Sequence, residues 1–143
     1  LRDELTPYLA EVTPMRGRPS LLGSSFGAIA SLSAAYRSPG TYESLILLSG
    51  SFVLANVSGH RAFDPVVAFV NRYRRDPRPV TDRMYLSCGV YEPLIAGNRA
   101  MLPVFRATGM DVRYTEGRDG HTWENWRDRL REALSWTFPG PGH

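Results

Sequence analysis

The sequence alternates four strand-sized apolar segments with longer helical segments, and this alternation constrains the fold more than any other feature. The apolar segments lie at residues 20–24, 45–49, 83–88 and 111–115. The helical segments lie at residues 3–12, 26–36, 65–75, 93–107 and 122–136. Because each crossover helix lies over one face of the sheet, apolar strands that alternate with helices form a parallel sheet. The sequence therefore predicts an α/β fold with helices on both faces.

Composition narrows the class of protein. The 143 residues are 43% apolar and 22% charged, and the single Cys, Cys88, excludes a disulfide scaffold. No stretch reaches the roughly 18 apolar residues that a membrane helix needs. The net charge is +3 and the 17 basic residues, all Arg, are scattered, so we expect neither a nucleic-acid nor a membrane partner. We expect one domain over residues 1–138, a flexible tail over residues 139–143 and a cytoplasmic location.

The first predicted strand requires a neighbour on each side. Residues 20–24 are apolar on both faces and carry no charge that would protect an exposed sheet edge. Because the rest of the sequence supplies a neighbour on only one side, we expect residues 1–143 to be the C-terminal half of a longer fold. Leu1 is not an initiator Met, so we expect the native N-terminus to lie upstream. The expected neighbour is the N-terminal half of the same fold or a second copy of the chain.

The segment that joins the first strand to the second helix contains a candidate nucleophile. Gly23-Ser24-Ser25-Phe26-Gly27 matches Gly-x-Ser-x-Gly and connects strand to helix without a loop. Such a sharp turn lifts Ser25 clear of the sheet and permits no bulky side chain two positions to either side. The backbone N–H of Phe26, at the helix N-terminus, can stabilise an oxyanion. Ser24 has the wrong register for a nucleophile and is expected to line the pocket.

A serine nucleophile needs a general base, and the sequence offers His60, His121 and His143. His143 belongs to the tail. His60 follows its strand too early for the usual chain order of a triad. His121 follows the fourth strand directly and should reach the carboxyl edge of the sheet, where Ser25 also lies. His121 is therefore the predicted base.

The acid of a triad should lie between nucleophile and base in sequence, at the end of an intervening strand. Glu92 fits this position, on the loop that leaves the third strand, and would hold the tautomer of His121. Asp119 and Asp111 are the alternatives. Asp119 is only two residues from His121, and Asp111 begins a strand at the opposite edge of the sheet.

These segments together resemble the esterase D type of α/β-hydrolase, and within it the enterochelin (ferric enterobactin) esterases. The resemblance covers almost the whole chain. Its motifs are Gly23-Ser24-Ser25-Phe26-Gly27, Ser49-Gly50-Ser51-Phe52, Gly89-Val90-Tyr91-Glu92-Pro93 with Asn98, and Gly120-His121-Thr122-Trp123 with Trp126-Arg127. The resemblance implies Ser25 as nucleophile, His121 as base and Glu92 as acid. It also implies earlier strands and a loop that supplies a second oxyanion donor.

The resulting hypothesis is a serine carboxylic-ester hydrolase that forms an acyl-enzyme and uses neither a metal nor an organic cofactor. Its partner is a small-molecule ester, of siderophore type or another kind. Ser24, Ser51, Phe52 and Trp123 are expected to line the pocket. The alternatives are an acyltransferase, as in the similar mycolyltransferases, and a non-catalytic hydrolase-like fragment.

The last helix carries large apolar residues at helical spacing. Trp123, Trp126, Leu130 and Leu134 recur at i, i+3, i+7 and i+11. This spacing predicts a stripe that faces the core.

Overall fold

The computed structural model describes residues 3–14, 17–56 and 59–140. Its helices are α1 (Leu5–Val12), α2 (Phe26–Arg37), α3 (Asp64–Arg75), α4 (Ile95–Arg106) and α5 (Trp123–Thr137), with a 3-10 turn at Arg61–Phe63. Its strands are β1 (Leu21–Ser24), β2 (Ser44–Leu48), β3 (Arg83–Gly89) and β4 (Asp111–Gly117). Each predicted strand and helix is confirmed. The expectations for Leu1, His143 and the end of the tail concern positions outside the described residues.

The four strands form one parallel sheet in the order β1-β2-β3-β4. Leu21 pairs with Leu45, Ser44 with Arg83, and Arg83 with Asp111. Because all four strands run the same way, the segments that follow them emerge at one edge of the sheet. The predicted α/β class with a parallel sheet is confirmed.

Helices cover both faces of the sheet, which separates two hydrophobic cores. Alternate residues of β2 point into one core or the other. Leu45 and Leu47 point into the larger core, where residues of α2, α3 and α4 pack. Ile46 and Leu48 point to the opposite face, where α5 packs. All five residues of β2 are buried, so the segment that follows this strand begins from a firmly packed position.

The predicted core-facing stripe of α5 is wrong at Leu134, and Trp123, the member of the stripe that is expected to line the pocket, lies outside the core. Trp123 is 62% exposed and Leu134 is 43% exposed. The face that packs on the sheet contains Trp126, Leu130 and Ala133. The helix is rotated from the predicted phase because Asn125, a polar residue that the apolar pattern leaves outside, is 1% exposed and turned inward.

Within the described part of the chain the sheet has two edge strands, because β1 pairs with β2 alone and β4 with β3 alone. The edge strand β4 carries charged residues, whereas β1 carries none. Leu22 lies on the α5 face, opposite Ile46 in the register, yet it is 48% exposed. In α1, Tyr8 and Val12 are exposed apolar residues as well.

Among the described residues, no helix is long and apolar enough to span a membrane.

Candidate active site

The turn between β1 and α2 places Ser25 above the carboxyl edge of the sheet. Ser25 adopts φ 54° and ψ −120°, a conformation that non-glycine residues rarely adopt. Its backbone N–H donates to the carbonyl of Leu48 at 2.9 Å, which ties the turn to the end of β2. The strained serine therefore has a fixed backbone position, as the Gly-x-Ser-x-Gly pattern predicts.

The two glycines of this turn have different roles. A Cβ on Gly23 would lie 2.2 Å from the carbonyl oxygen of Gly27, so only glycine fits at position 23. A Cβ on Gly27 would meet nothing within 4 Å. The expectation that both positions exclude bulky side chains is correct for Gly23, whereas at Gly27 the first carbon of a side chain would have open space. The close approach involves the backbone of Gly27 and not its Cβ side.

Ser25, His121 and Glu92 form one chain of hydrogen bonds. The Oγ of Ser25 lies 3.1 Å from Nε2 of His121, and Nδ1 of His121 lies 2.6 Å from Oε2 of Glu92. A carboxylate only accepts hydrogen bonds, so Nδ1 carries the imidazole proton and Nε2 is free to accept the hydroxyl proton of Ser25. This is the arrangement that a general base needs.

The carboxyl group of Glu92 is fully buried and hydrogen-bonded at both oxygens. Its side chain is 0% exposed. Oε1 accepts hydrogen bonds from the Ser49 hydroxyl at 2.6 Å, from the backbone N–H of Gly89 at 2.7 Å and from Nδ2 of Asn125 at 2.8 Å. Oε2 faces His121. A buried charge is stable only when it is paired and hydrogen-bonded, and these four donors satisfy that requirement.

The loops that carry the acid and the base touch one another at Gly89. The N–H of Tyr91 donates to the carbonyl of Asp119 at 3.2 Å. A Cβ on Gly89 would lie 2.2 Å from that carbonyl oxygen and 2.9 Å from Oε1 of Glu92. Glycine at the end of β3 thus allows the two loops to approach and brings Glu92 within reach of His121.

The alternative acids and the alternative base have hydrogen-bond or ion-pair partners outside the Ser25–His121–Glu92 chain. Asp119 accepts a hydrogen bond from Arg129 at 3.3 Å. Asp111 pairs with Arg83 at the start of its strand, at the opposite edge of the sheet. His60 precedes the 3-10 turn, and its carbonyl accepts from Asn56. The imidazole that contacts Ser25 belongs to His121.

The residues expected to line the pocket differ in their exposure. Ser51 is 3% exposed, and its Oγ lies 3.3 Å from that of Ser25. Ser24 is half-buried at the end of β1. Phe52 is 1% exposed and packs against Phe105 in the larger core. Trp123 lies on the surface at the start of α5.

Three residues around the acid and base were not assigned to the site from sequence. Ser49 and Asn125 bind Oε1 of Glu92. Trp126, which sequence reasoning placed in the core, donates its Nε1–H to Ser49 at 2.9 Å and sets its ring edge-on to His121, with ring centroids 5.1 Å apart. The motifs Ser49-Gly50-Ser51-Phe52 and Trp126-Arg127 contain two of these residues, but the sequence assigns neither of them a role in the site.

Cys88 lies beside the acid but is shielded from solvent. It is 0% exposed, and burial, followed by the neighbouring charge of Glu92, raises the pKa of its thiol to about 12. The thiol is therefore neutral at ordinary pH, which agrees with a structural role. The described residues contain no group of three or more His, Cys, Asp or Glu side chains placed to hold a metal ion.

The fold and the strand-end positions of these residues are those of an α/β-hydrolase. The Esterase family model matches residues 1–137, and the chain belongs to this family. It is 21% identical to an acetyl esterase from Caldicellulosiruptor saccharolyticus over 94% of this chain.

Solved structures of enterochelin esterases are similar over nearly the whole chain. The enterochelin esterase from Shigella flexneri superposes with a TM-score of 0.80 at 20% identity over 99% of this chain. Ferric enterobactin esterase from Salmonella typhimurium superposes with a TM-score of 0.75 at 26% identity over 94% of it. The predicted resemblance to this group is confirmed.

The chain is shorter than these relatives. It spans 60% of the acetyl esterase, 36% of the Shigella protein and 34% of the Salmonella protein.

Proposed function

We propose that this protein is a serine carboxylic-ester hydrolase with Ser25, His121 and Glu92 as its catalytic triad. The observation that carries the proposal is the hydrogen-bonded chain from Ser25 through His121 to Glu92, with distances of 3.1 and 2.6 Å. Membership of the esterase family supports it. Nucleophile, base and acid each follow a different strand of one parallel sheet, which is where α/β-hydrolases hold these groups.

In the proposed reaction, Nε2 of His121 takes the hydroxyl proton of Ser25 while Oγ attacks the ester carbonyl carbon. The tetrahedral intermediate collapses, the carbonyl re-forms, and the protonated His121 gives the proton to the departing alcohol. Water, activated by the same imidazole, then attacks the acyl-enzyme and releases the acid. Glu92 stabilises the imidazolium at each stage through its 2.6 Å contact with Nδ1.

The oxyanion of the intermediate needs donors close to Ser25. The N–H groups of the first turn of a helix have no partner within that helix, so the N–H of Phe26 at the start of α2 is available. The second donor in this fold comes from a loop on an earlier strand. We propose that chain lying beyond β1 supplies it.

The free edge of β1 is the proposed docking position of that additional chain. Its backbone groups on the outer side lack a strand partner within the described residues, and Leu22 is half-exposed on one face. A sheet edge without charge or cover pairs readily with another strand. The N-terminal half of the same fold is the proposed occupant, and a second copy of this chain is the alternative.

The proposed substrate is a small-molecule ester. Ser25 is half-buried and the side chain of His121 is 33% exposed, so both reacting groups are open to solvent from the carboxyl edge of the sheet. Similarity to enterochelin esterases makes a siderophore-type ester one candidate, and similarity to an acetyl esterase makes a simple acetate ester another.

Steady-state hydrolysis of an aryl acetate and of a catecholate ester tests this proposal. The complete protein, with the chain that docks beside β1, should hydrolyse at least one of them, and Ser25→Ala in that protein should lower kcat by about 10⁵–10⁶-fold. Ser135→Ala is the control, since it removes an exposed hydroxyl of α5 that no pocket or triad assignment includes, and should retain activity. A Ser25→Ala protein as active as the wild type would refute the assignment. Faster release of product on adding an alcohol acceptor would instead favour acyl transfer.

A further inference from the structure

Ser49 shares an unusual backbone conformation with Ser25. Within the described residues, these two serines are the non-glycine residues with positive φ, at 49° for Ser49 and 54° for Ser25. Each follows the last residue of its strand, and β1 and β2 are neighbours in the sheet. Ser49 is fully buried, and its N–H donates to the carbonyl of Ser87 at 2.7 Å. A strained residue persists where its surroundings hold it and often marks a functional site.

The hydrogen bonds of the Ser49 hydroxyl have one possible direction. The indole N–H of Trp126 can only donate, so it donates to Oγ of Ser49 at 2.9 Å. Oγ in turn lies 2.6 Å from Oε1 of Glu92 and donates its own proton to that carboxylate. The chain Trp126–Ser49–Glu92 therefore delivers a donor to the side of the carboxylate that faces away from His121.

The hydrogen bond from Ser49 helps to fix the orientation of the Glu92 carboxylate relative to His121. Oε1 accepts hydrogen bonds from Ser49, Gly89 and Asn125, which leaves Oε2 directed at Nδ1 of His121. Glu92 and His121 stand on loops, whereas Ser49 continues directly from the fully buried strand β2. The Ser49 hydroxyl therefore ties the carboxylate to the end of β2, as the backbone N–H of Gly89 ties it to the end of β3.

We propose that Ser49 is a positioning residue of the triad, acting through Glu92 on the tautomer and orientation of His121. This inference rests on the proposed function. The strained conformation of Ser49 aims its hydroxyl at Oε1, and Trp126 holds the hydroxyl in that direction while its ring edge contacts the His121 imidazole. Loss of the hydroxyl leaves Oε1 with only the donors of Gly89 and Asn125, which loosens the hold on the carboxylate and misaligns the base.

The test compares Ser49→Ala and Ser49→Gly with Ser44→Ala. Glycine adopts positive φ without strain, so Ser49→Gly removes the hydroxyl while preserving the turn. Ser44 is the matched control: it begins the same strand, is 1% exposed and has its Oγ hydrogen-bonded to that of Ser20 at 2.6 Å, at the opposite end of β2.

Both Ser49 variants should lower kcat for an aryl ester by about 10–100-fold, with KM changed less than about twofold. Ser44→Ala should leave kcat within about twofold even where it lowers the melting temperature. In a Glu92→Gln background, Ser49→Gly should have no further effect on kcat, because the residue through which it acts is already disabled. An unchanged kcat in Ser49→Gly, or an undiminished effect in the Glu92→Gln background, would overturn the proposal.

A second readout needs no catalytic activity. The proton on Nδ1 of His121, shared with Glu92 over 2.6 Å, should give a low-field resonance in the proton NMR spectrum of the wild-type protein. This resonance should move upfield or vanish in Ser49→Gly and persist in Ser44→Ala. Its persistence in Ser49→Gly refutes the positioning role. A wild-type protein that gives the resonance but hydrolyses no ester would refute the proposed function and leave the positioning of His121 supported.

Discussion

Nδ1 of His121 lies 2.6 Å from Oε2 of Glu92, although the two residues are 29 positions apart and follow different strands. The contact exists because β3 and β4 end side by side, with Gly89 paired to Gly117 in the register. It fixes the proton of the imidazole on Nδ1 and leaves Nε2 to accept from Ser25.

Replacement of the acid should disable the base without removing the nucleophile. In Glu92→Gln an amide N–H can face Nδ1 and favour the wrong imidazole tautomer, so kcat should fall by about 10³–10⁴-fold. Asp119→Asn is the control, because Asp119 bonds to Arg129, and its kcat should change far less. Steady-state ester hydrolysis measures both. A larger loss in Asp119→Asn would move the acid role to that residue.

Loss of the base should be as damaging as loss of the nucleophile. His121→Ala should lower kcat to the level of Ser25→Ala, and the double variant should be no worse, because residues of one triad act as a unit. His60→Ala should retain most activity. The chain-order assignment fails if His60→Ala is the more damaging substitution in the same hydrolysis assay.

The thiol of Cys88 should resist labelling in the folded protein. Since burial raises its pKa to about 12, it stays protonated, and its reaction rate with a disulfide reagent should remain low from about pH 8 to about pH 10. An exposed thiol of ordinary pKa reacts faster as pH rises over this range. Ser135→Cys in a Cys88→Ala background supplies that control on the exposed face of α5. Rapid labelling of native Cys88 would mean that this region opens to solvent.

Leu22 should be covered in the intact protein if further chain docks beside β1. In that case Leu22→Lys should lower the free energy of unfolding by about 1.5–3 kcal/mol, the contribution of a buried leucine. Leu134→Lys on α5, at a position 43% exposed, should change it by less than about 0.5 kcal/mol. Denaturant unfolding measures both. Equally small effects would indicate that this face of β1 stays in solvent.

The turn at Ser25 and the positions of Glu92 and His121 could be predicted from the order of the strands and from where each strand ends. Gly23 and Ser25 lie between a strand and a helix with no residues to spare for a loop, so the turn could be predicted locally. Glu92 and His121 follow successive strands, and a parallel sheet brings such positions to one edge.

The hydrogen-bond donors around Glu92 could not be predicted from the order of the strands. Asn125 is polar, so an apolar stripe places it outward, yet a partner on another element turns it inward and rotates α5 with it. The hydroxyl direction of Ser49 depends on Trp126, 77 positions away. Periodicity reports which face of a helix is apolar, but it does not report which buried polar group finds a partner across the sheet.

A fluorophosphonate probe gives the most direct test of the central claim that Ser25 is a nucleophile activated by His121 and Glu92. The account predicts labelling of the wild-type protein on the peptide that contains Ser25, identified by mass spectrometry. It predicts no labelling in Ser25→Ala and a rate reduced by orders of magnitude in His121→Ala. Labelling of the wild-type protein at another residue, or at an equal rate in Ser25→Ala, contradicts the account.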